Sequence, residues 1–148
     1  MTLASSPTSS DGRVLVAGRA RGTAMVLAEP LSFWGGFDAQ TGRVIDPRHP
    51  QHGSILSRRV LVMPTGRGSS SSASVLAEAV RIGTAPAAIL LHEPDPILVL
   101  GAVVARELYG RSIPIVVLPR EQAGRIPTGA KVEVEAEGGR ALVRALPS

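Results

Sequence analysis

From Arg58 onward the hydrophobic pattern alternates between two periods. The runs "RRVLVMP", "AAILLH" and "IPIVVLP" carry consecutive apolar residues with no polar face. Uninterrupted strands of this kind belong to a parallel sheet covered by helices on both sides. Between the first two, Ser70–Ile82 sets Val75, Leu76, Ala79, Val80 and Ile82 on one helical stripe, and Gly83 followed by Pro86 ends it. Between the second and third, Asp95 reads as an N-cap, Pro96 as the first helical residue and Gly110 as the stop. The order strand, helix, strand, helix, strand predicts right-handed crossovers.

On either side of this half the pattern is shorter and more polar. Arg13–Arg19 and Gly22–Leu27 read as two strands split by glycine, and Lys131–Ala145 alternates about Gly138 and Gly139 as a β-hairpin. The stretch Glu29–Gly53, "EPLSFWGGFDAQTGRVIDPRHPQHG", reads as an ordered loop with one short strand at Arg43–Ile45. A loop of that length inside a small domain is usually functional. Its aromatic residues Phe33, Trp34 and Phe37 are expected either to meet a partner or to plug the open end of the β layer. The expected fold class is α/β, a β-rich layer plus a βαβαβ parallel half, with residues 1–12 as a disordered tail and 13–148 as one domain.

Composition narrows the chemistry. Of 148 residues, 44% are hydrophobic and only 3% aromatic, so the core must be built from aliphatic side chains. There is no cysteine, which removes disulfides, zinc thiolate sites and iron–sulfur ligation by this chain's own thiolates. The first dozen residues lack an apolar stretch of the signal-peptide kind, and the longest apolar run, Ile97–Ala105, is too short to span a bilayer. A cytoplasmic protein is therefore expected. The net charge of +4 rests on scattered arginines with Lys131 the single lysine, and Trp34 and Tyr109 are the sole Trp and Tyr. Stacking platforms for nucleic acid are missing, so an anionic small substrate or an acidic partner surface is the better match.

The candidate chemistry concentrates in "TGRGSSSS", Thr65–Ser72, where a strand turns through Gly66 and Gly68 into a helix. Unpaired amides and the positive end of the helix dipole favour an anion there, while the plain alternative is a serine N-cap. A P-loop is excluded because no lysine follows Gly68, and the dinucleotide fingerprint lacks its third small residue, although Glu93 imitates the ribose-binding acid. Arg67 and Arg48 are candidate clamps for a substrate carboxylate, which a guanidinium grips in a bidentate pair. His49 and His52 sit three apart in "DPRHPQHG" but lack a third donor for a metal site. "HEPDP" adds His92, Glu93 and Asp95; for Glu93 a strand-end carboxylate bonded to loop amides is the simpler role.

Three segments in order, "EPLSFWGGFDAQTGRVIDPRHPQHG", "RVLVMPTGRGSSSSASVLAEAV" and "EPDPILVLGAVVARELYGRSIPIVV", resemble the aconitase X swivel domain over about Gly12–Val117. The resemblance implies a swivelling β/β/α domain, the small subunit of a hydro-lyase whose larger catalytic subunit holds an iron–sulfur cluster. It implies Ser69, directly after the Gly-x-Gly turn, as the proton acceptor; around it the residues' own chemistry makes Arg67, Gly68, Ser70, Arg48 and His49 the expected substrate-binding set, with no metal on this chain. Related enzymes dehydrate cis-3-hydroxy-L-proline in bacteria and mevalonate 5-phosphate in archaea. The all-serine turn favours the proline substrate. The second half also resembles phosphohistidine swivel domains, but the matching helix start "DPILVLGAVVA" carries no histidine. A non-catalytic anion-binding or phosphocarrier-like module is thus the remaining alternative.

Overall fold

The structure is a computed structural model that describes residues 8–146. Strands β1 (Thr8–Val16) and β2 (Gly18–Val26) are followed by a kinked turn α1 (Phe33–Gly36) and a small two-stranded sheet of β3 (Phe37–Asp38) and β4 (Arg43–Val44). Then come β5 (Val60–Met63), α2 (Ser71–Ile82), β6 (Ala88–Leu91), α3 (Pro96–Tyr109), β7 (Ile115–Val117), a short α4 (Arg120–Ala123), β8 (Lys131–Glu137) and β9 (Arg140–Leu146). β2, β5, β6 and β7 run parallel in that spatial order, and the remaining pairs, β1 with β7, β1 with β9, β8 with β9 and β2 with β8, are antiparallel.

These pairings close into one barrel, β1-β7-β6-β5-β2-β8-β9. The expected β-rich layer and parallel half are therefore one continuous sheet. Closure removes the exposed edges that two open layers would leave. Its seam uses β1, which begins at Thr8 and pairs Thr8–Arg13 with β9, so positions 8–12 are strand where a tail was expected. Residues 1–7 lie outside the described part. Gly12 belongs in the seam because a Cβ there would meet Val116 and Leu118. Arg19, expected at the end of the first strand, belongs to β2, since the chain reverses at Gly18 with φ of +155°.

Every residue of β5 and β6 is buried, which explains their unbroken apolar runs. Successive residues face opposite sides. Val60, Val62, Ala88 and Leu90 join Val132, Val134 and Val143 inside the barrel. Leu61, Met63, Ile89 and Leu91 face the helices and join Leu76, Leu98, Phe33 and Phe37 in a second core. The helices α2 and α3 pack closely because residue 101 is glycine: a Cβ there would stand 2.7 Å from the Ala73 carbonyl. The hairpin β8–β9 buries Val132, Val134 and Ala136 and exposes Lys131, Glu135 and Glu137, the alternation of a one-sided strand. Among the described residues no helix is long and apolar enough to cross a membrane.

Candidate active site

The parallel strands β5, β6 and β7 end side by side, and the loops leaving β5 and β6 carry the Gly66–Ser70 turn and His92, Glu93 and Asp95. In α/β folds, closed barrels and open sheets alike, ligands bind at the C-terminal ends of the parallel strands. The loops are tied together by backbone. The Pro64 carbonyl, just after β5, accepts the amides of both His92 (2.9 Å) and Glu93 (3.1 Å), just after β6. Leu31 bridges to Gly66 and its carbonyl accepts the Arg67 amide at 3.3 Å. Glycine is required at two points of the turn. A Cβ at Gly66 would collide with the Asp95 carboxylate, and Gly68 has φ of +102° with Ser32 Oγ only 2.6 Å from where a Cβ would sit.

The two helix starts next to this turn are built differently. Asp95 caps α3 fully, its Oδ1 accepting the amides of Ile97 (2.9 Å) and Leu98 (3.3 Å), with Pro96 following. At α2, Ser70 is in αR geometry and makes no side-chain cap bond. Ser69 Oγ instead accepts the Ser71 amide at 3.0 Å, and its carbonyl accepts the Ser72 amide at 3.0 Å. The serine N-cap role thus falls to Ser69, because the αR backbone at Ser70 is already helical and the first residue able to fold its hydroxyl back lies one earlier. Ser69 is half-buried while Arg67, Gly68, Ser70 and Ser71 are exposed. Ser72 is buried, and its Oγ accepts the amide of Trp34 at 3.0 Å.

An amide donating to Ser69 Oγ stabilises the oxygen when it carries negative charge, and so does the positive end of α2. The hydroxyl proton is left free to be donated or lost. Between Leu31, Gly66, Ser69, Asp95 and Ile97 the cavity is about 10 Å³, room for one water-sized group. Any larger substrate must therefore lie outside this cavity, over the exposed turn.

Arg67 and Ser69 share that cavity wall, whereas Arg48 and His49 lie on the separate loop after β4. Arg48 is exposed, and its amide donates to Asp46 Oδ1 at 2.9 Å. His49 is buried, with Nε2 at 3.2 Å from the Glu29 carbonyl and Nδ1 accepting the Gln51 amide at 3.0 Å. Both ring nitrogens are spent inside the chain, so the substrate-binding role expected of His49 gives way to that of a loop anchor. Its two bonds require the neutral form with the proton on Nε2. The aromatic loop divides: Phe33 and Phe37 are buried with ring centroids 4.8 Å apart, and Trp34 is 59% exposed. The two phenylalanines thus belong to the core between sheet and helices rather than plugging an end of the β layer, and only the Trp34 ring is left exposed. Glu93 is exposed, and its amide is what binds the neighbouring loop. Sequence reasoning missed Ser32, which lies against Gly68, and the bond that ties Ser72 of the serine run to the Trp34 amide, because a serine's partner across the fold leaves no local pattern.

His92 follows β6 directly, with its Nδ1 buried and unpartnered. Burial, and secondarily the Arg120 guanidinium, push its pKa below the ordinary value of 6.5, against a smaller opposing effect of Glu93. Among the described residues no group of three His, Cys, Asp or Glu side chains could hold a metal ion.

The family model of the aconitase X swivel domain matches residues 9–143. The chain belongs to the aconitase X swivel domain family. The match extends past both ends of the Gly12–Val117 resemblance and takes in the barrel hairpin. The swivel domain is 55% identical over 106 residues to the cis-3-hydroxy-L-proline dehydratase of Pseudomonas aeruginosa, covering 72% of this chain but 18% of that protein. It is 41% identical over 131 residues to the phosphomevalonate dehydratase small subunit of Methanothermobacter thermautotrophicus, covering 88% of this chain and 95% of that one. The crystal structure of Thermococcus kodakaraensis aconitase X in its holo-form superposes with a TM-score of 0.79 at 32% identity, over 91% of this swivel domain and 97% of the matched chain.

Proposed function

We propose that this chain works as the small subunit, or small-subunit-like part, of a two-part hydro-lyase of the aconitase X type, and that Ser69 is its catalytic base. The observation that carries the reading is the Ser71 amide on Ser69 Oγ at the first turn of α2, beside the exposed Arg67. A serine hydroxyl is a weak base in water. An oxygen that already accepts an amide and lies at a helix N-terminus is stabilised as alkoxide by both, and Arg67 on the same cavity wall adds a positive charge.

In the proposed step Ser69 takes the proton from the carbon next to the substrate carboxylate. The electron pair of that C–H bond becomes the new double bond, and the hydroxyl on the adjacent carbon leaves. Arg67 holds the carboxylate in a bidentate pair, with Arg48 on the separate loop after β4 as a second candidate cation and the Gly68 and Ser70 backbone shaping the rim. The departing hydroxyl needs an electrophile, which the family supplies as an iron–sulfur cluster. The residues here do not fit such a group, since the chain has no cysteine; the cluster belongs to the proposed larger partner. An intracellular location goes with this reading.

The substrate proposed is cis-3-hydroxy-L-proline, supported by the higher identity to the Pseudomonas dehydratase and by the all-serine turn. Mevalonate 5-phosphate is the second reading, favoured by a match that covers 95% of a small subunit acting on that compound by name. The test is a turnover assay of the chain with its cognate larger subunit on both compounds. Dehydration of hydroxyproline by the pair, and none by the chain alone, is the expected result. Activity of the isolated chain overturns the two-part reading, and preference for the phosphorylated compound overturns the substrate.

A further inference from the structure

The helices α2 and α3 lie side by side over the sheet, yet their outward faces differ. That of α2 is polar: Ser71 and Ser74 are exposed, and Arg81 Nε bonds Glu78 Oε1 at 2.7 Å. That of α3 is apolar in its first half, with Leu100 52% exposed, and turns charged only at Arg106 and Glu107 near its end. Leu100 follows Ile97 by three residues and so shares its side of the helix, and Ile97 lines the same cavity as Ser69. A second exposed apolar group borders the turn from the other loop. Trp34 has its backbone fixed twice, its amide on buried Ser72 Oγ and its carbonyl accepting Ser32 Oγ at 2.8 Å, while its indole is mostly exposed. Gly35, at φ of +78° with open space around it, turns the chain back so that Phe33 and Phe37 can both enter the core.

A backbone held this firmly behind an exposed indole is the arrangement of an interface anchor, because the ordering cost is met before binding. We propose that Trp34 and Leu100 form the apolar docking rim by which this chain seats on the larger body of the enzyme, with the serine turn enclosed between them. The occupant follows from the site itself. The cavity beside Ser69 admits about one water, so the substrate must be walled in by another protein surface. In the Pseudomonas relative the matching segment is 18% of a longer chain, so a much larger body accompanies it there. This inference rests on the two-part reading above.

The test labels the chain's only tryptophan with fluorotryptophan and follows its fluorine resonance as unlabelled larger subunit is added. Free, the resonance shifts between light and heavy water because the ring is exposed; the rim predicts that this solvent shift disappears in the complex without substrate. Trp34→Ala and Leu100→Ser should each weaken association at least about tenfold. The isolated variants should melt within about 2 °C of the parent chain. An association constant unchanged in both variants overturns the rim. A ring that stays solvent-sensitive until substrate is added makes Trp34 a substrate contact, and a concentration-dependent loss of the shift in the chain alone makes the face a self-association surface; either result also overturns it. If the wild-type chain binds no larger subunit, the two-part reading itself falls. Association that depends on Trp34 with turnover that ignores Ser69 leaves the rim standing and removes the base.

Discussion

The starts of α2 and α3 stand next to each other at one edge of the same sheet and obey opposite priorities. At α3 the carboxylate of Asp95 accepts two amides, Pro96 presets the first turn, and Leu98 behind them is buried. At α2 the terminus opens with exposed Ser70 and Ser71, a glycine at φ of +102° and one hydroxyl bond from Ser69. The second arrangement forgoes stability that a full cap would add, about 1 kcal/mol. It leaves a polar, positively polarised helix end open toward solvent. The comparison teaches that the firm terminus holds the loose one in place: Asp95 packs against Gly66, so the cap of α3 also shapes the turn that presents Ser69.

Exchanging the roles of the two termini should break this picture in graded ways. Removing the base should have the largest effect. In the reconstituted enzyme Ser69→Ala lowers turnover at least about a hundredfold, and thermal denaturation shows no more than about 1 kcal/mol lost with the Ser71 bond. Arg67→Lys keeps the charge but loses the fork, so kcat/KM should fall about tenfold or more with an unchanged melting curve. Asp95→Ala should do the reverse of Ser69→Ala: a loss of about 1–2 kcal/mol in chemical denaturation, with turnover reduced only through the displaced turn. Ser72→Ala leaves the Trp34 amide without its partner and should cost about 1 kcal/mol.

The smallest effect concerns pH. The folded pKa of His92 is lowered, chiefly by burial, so the fold favours the neutral ring. Its contribution is complete above the unfolded value near 6.5 and is lost as pH falls from there through the folded pKa. Melting temperature should decline as pH falls below the ordinary value of 6.5, and His92→Gln should flatten that decline. An identical slope in the variant removes His92 as its source.

Much of the fold could be read because burial leaves a periodic trace. β5 and β6 are apolar at every position because both faces are covered, and α3 announces both of its ends through Asp95, Pro96 and Gly110. Closure of the barrel left no such trace, since the Thr8–Arg13 seam is made by backbone pairing of a polar segment. The site was legible where glycine spacing is local, at Gly66 and Gly68, and illegible where the geometry is shared across the fold. Nothing local separates Ser69, which bonds an amide two residues on, from Ser72, which bonds Trp34 from a distant loop. His49 misled for a related reason: a histidine in a proline-rich loop looks available for a ligand until both nitrogens are seen to hold backbone.

The central claim is that Ser69 takes a proton from carbon, and the fate of that proton tests it most directly. cis-3-Hydroxy-L-proline deuterated at the carbon bearing the carboxylate is given to the reconstituted enzyme, and label release to water is timed alongside substrate affinity. The account predicts that Ser69→Ala binds the substrate nearly as well as the parent and releases label at least about a hundredfold more slowly. Release at the parent rate from the alanine variant would contradict it and leave Ser69 as the cap of α2 alone.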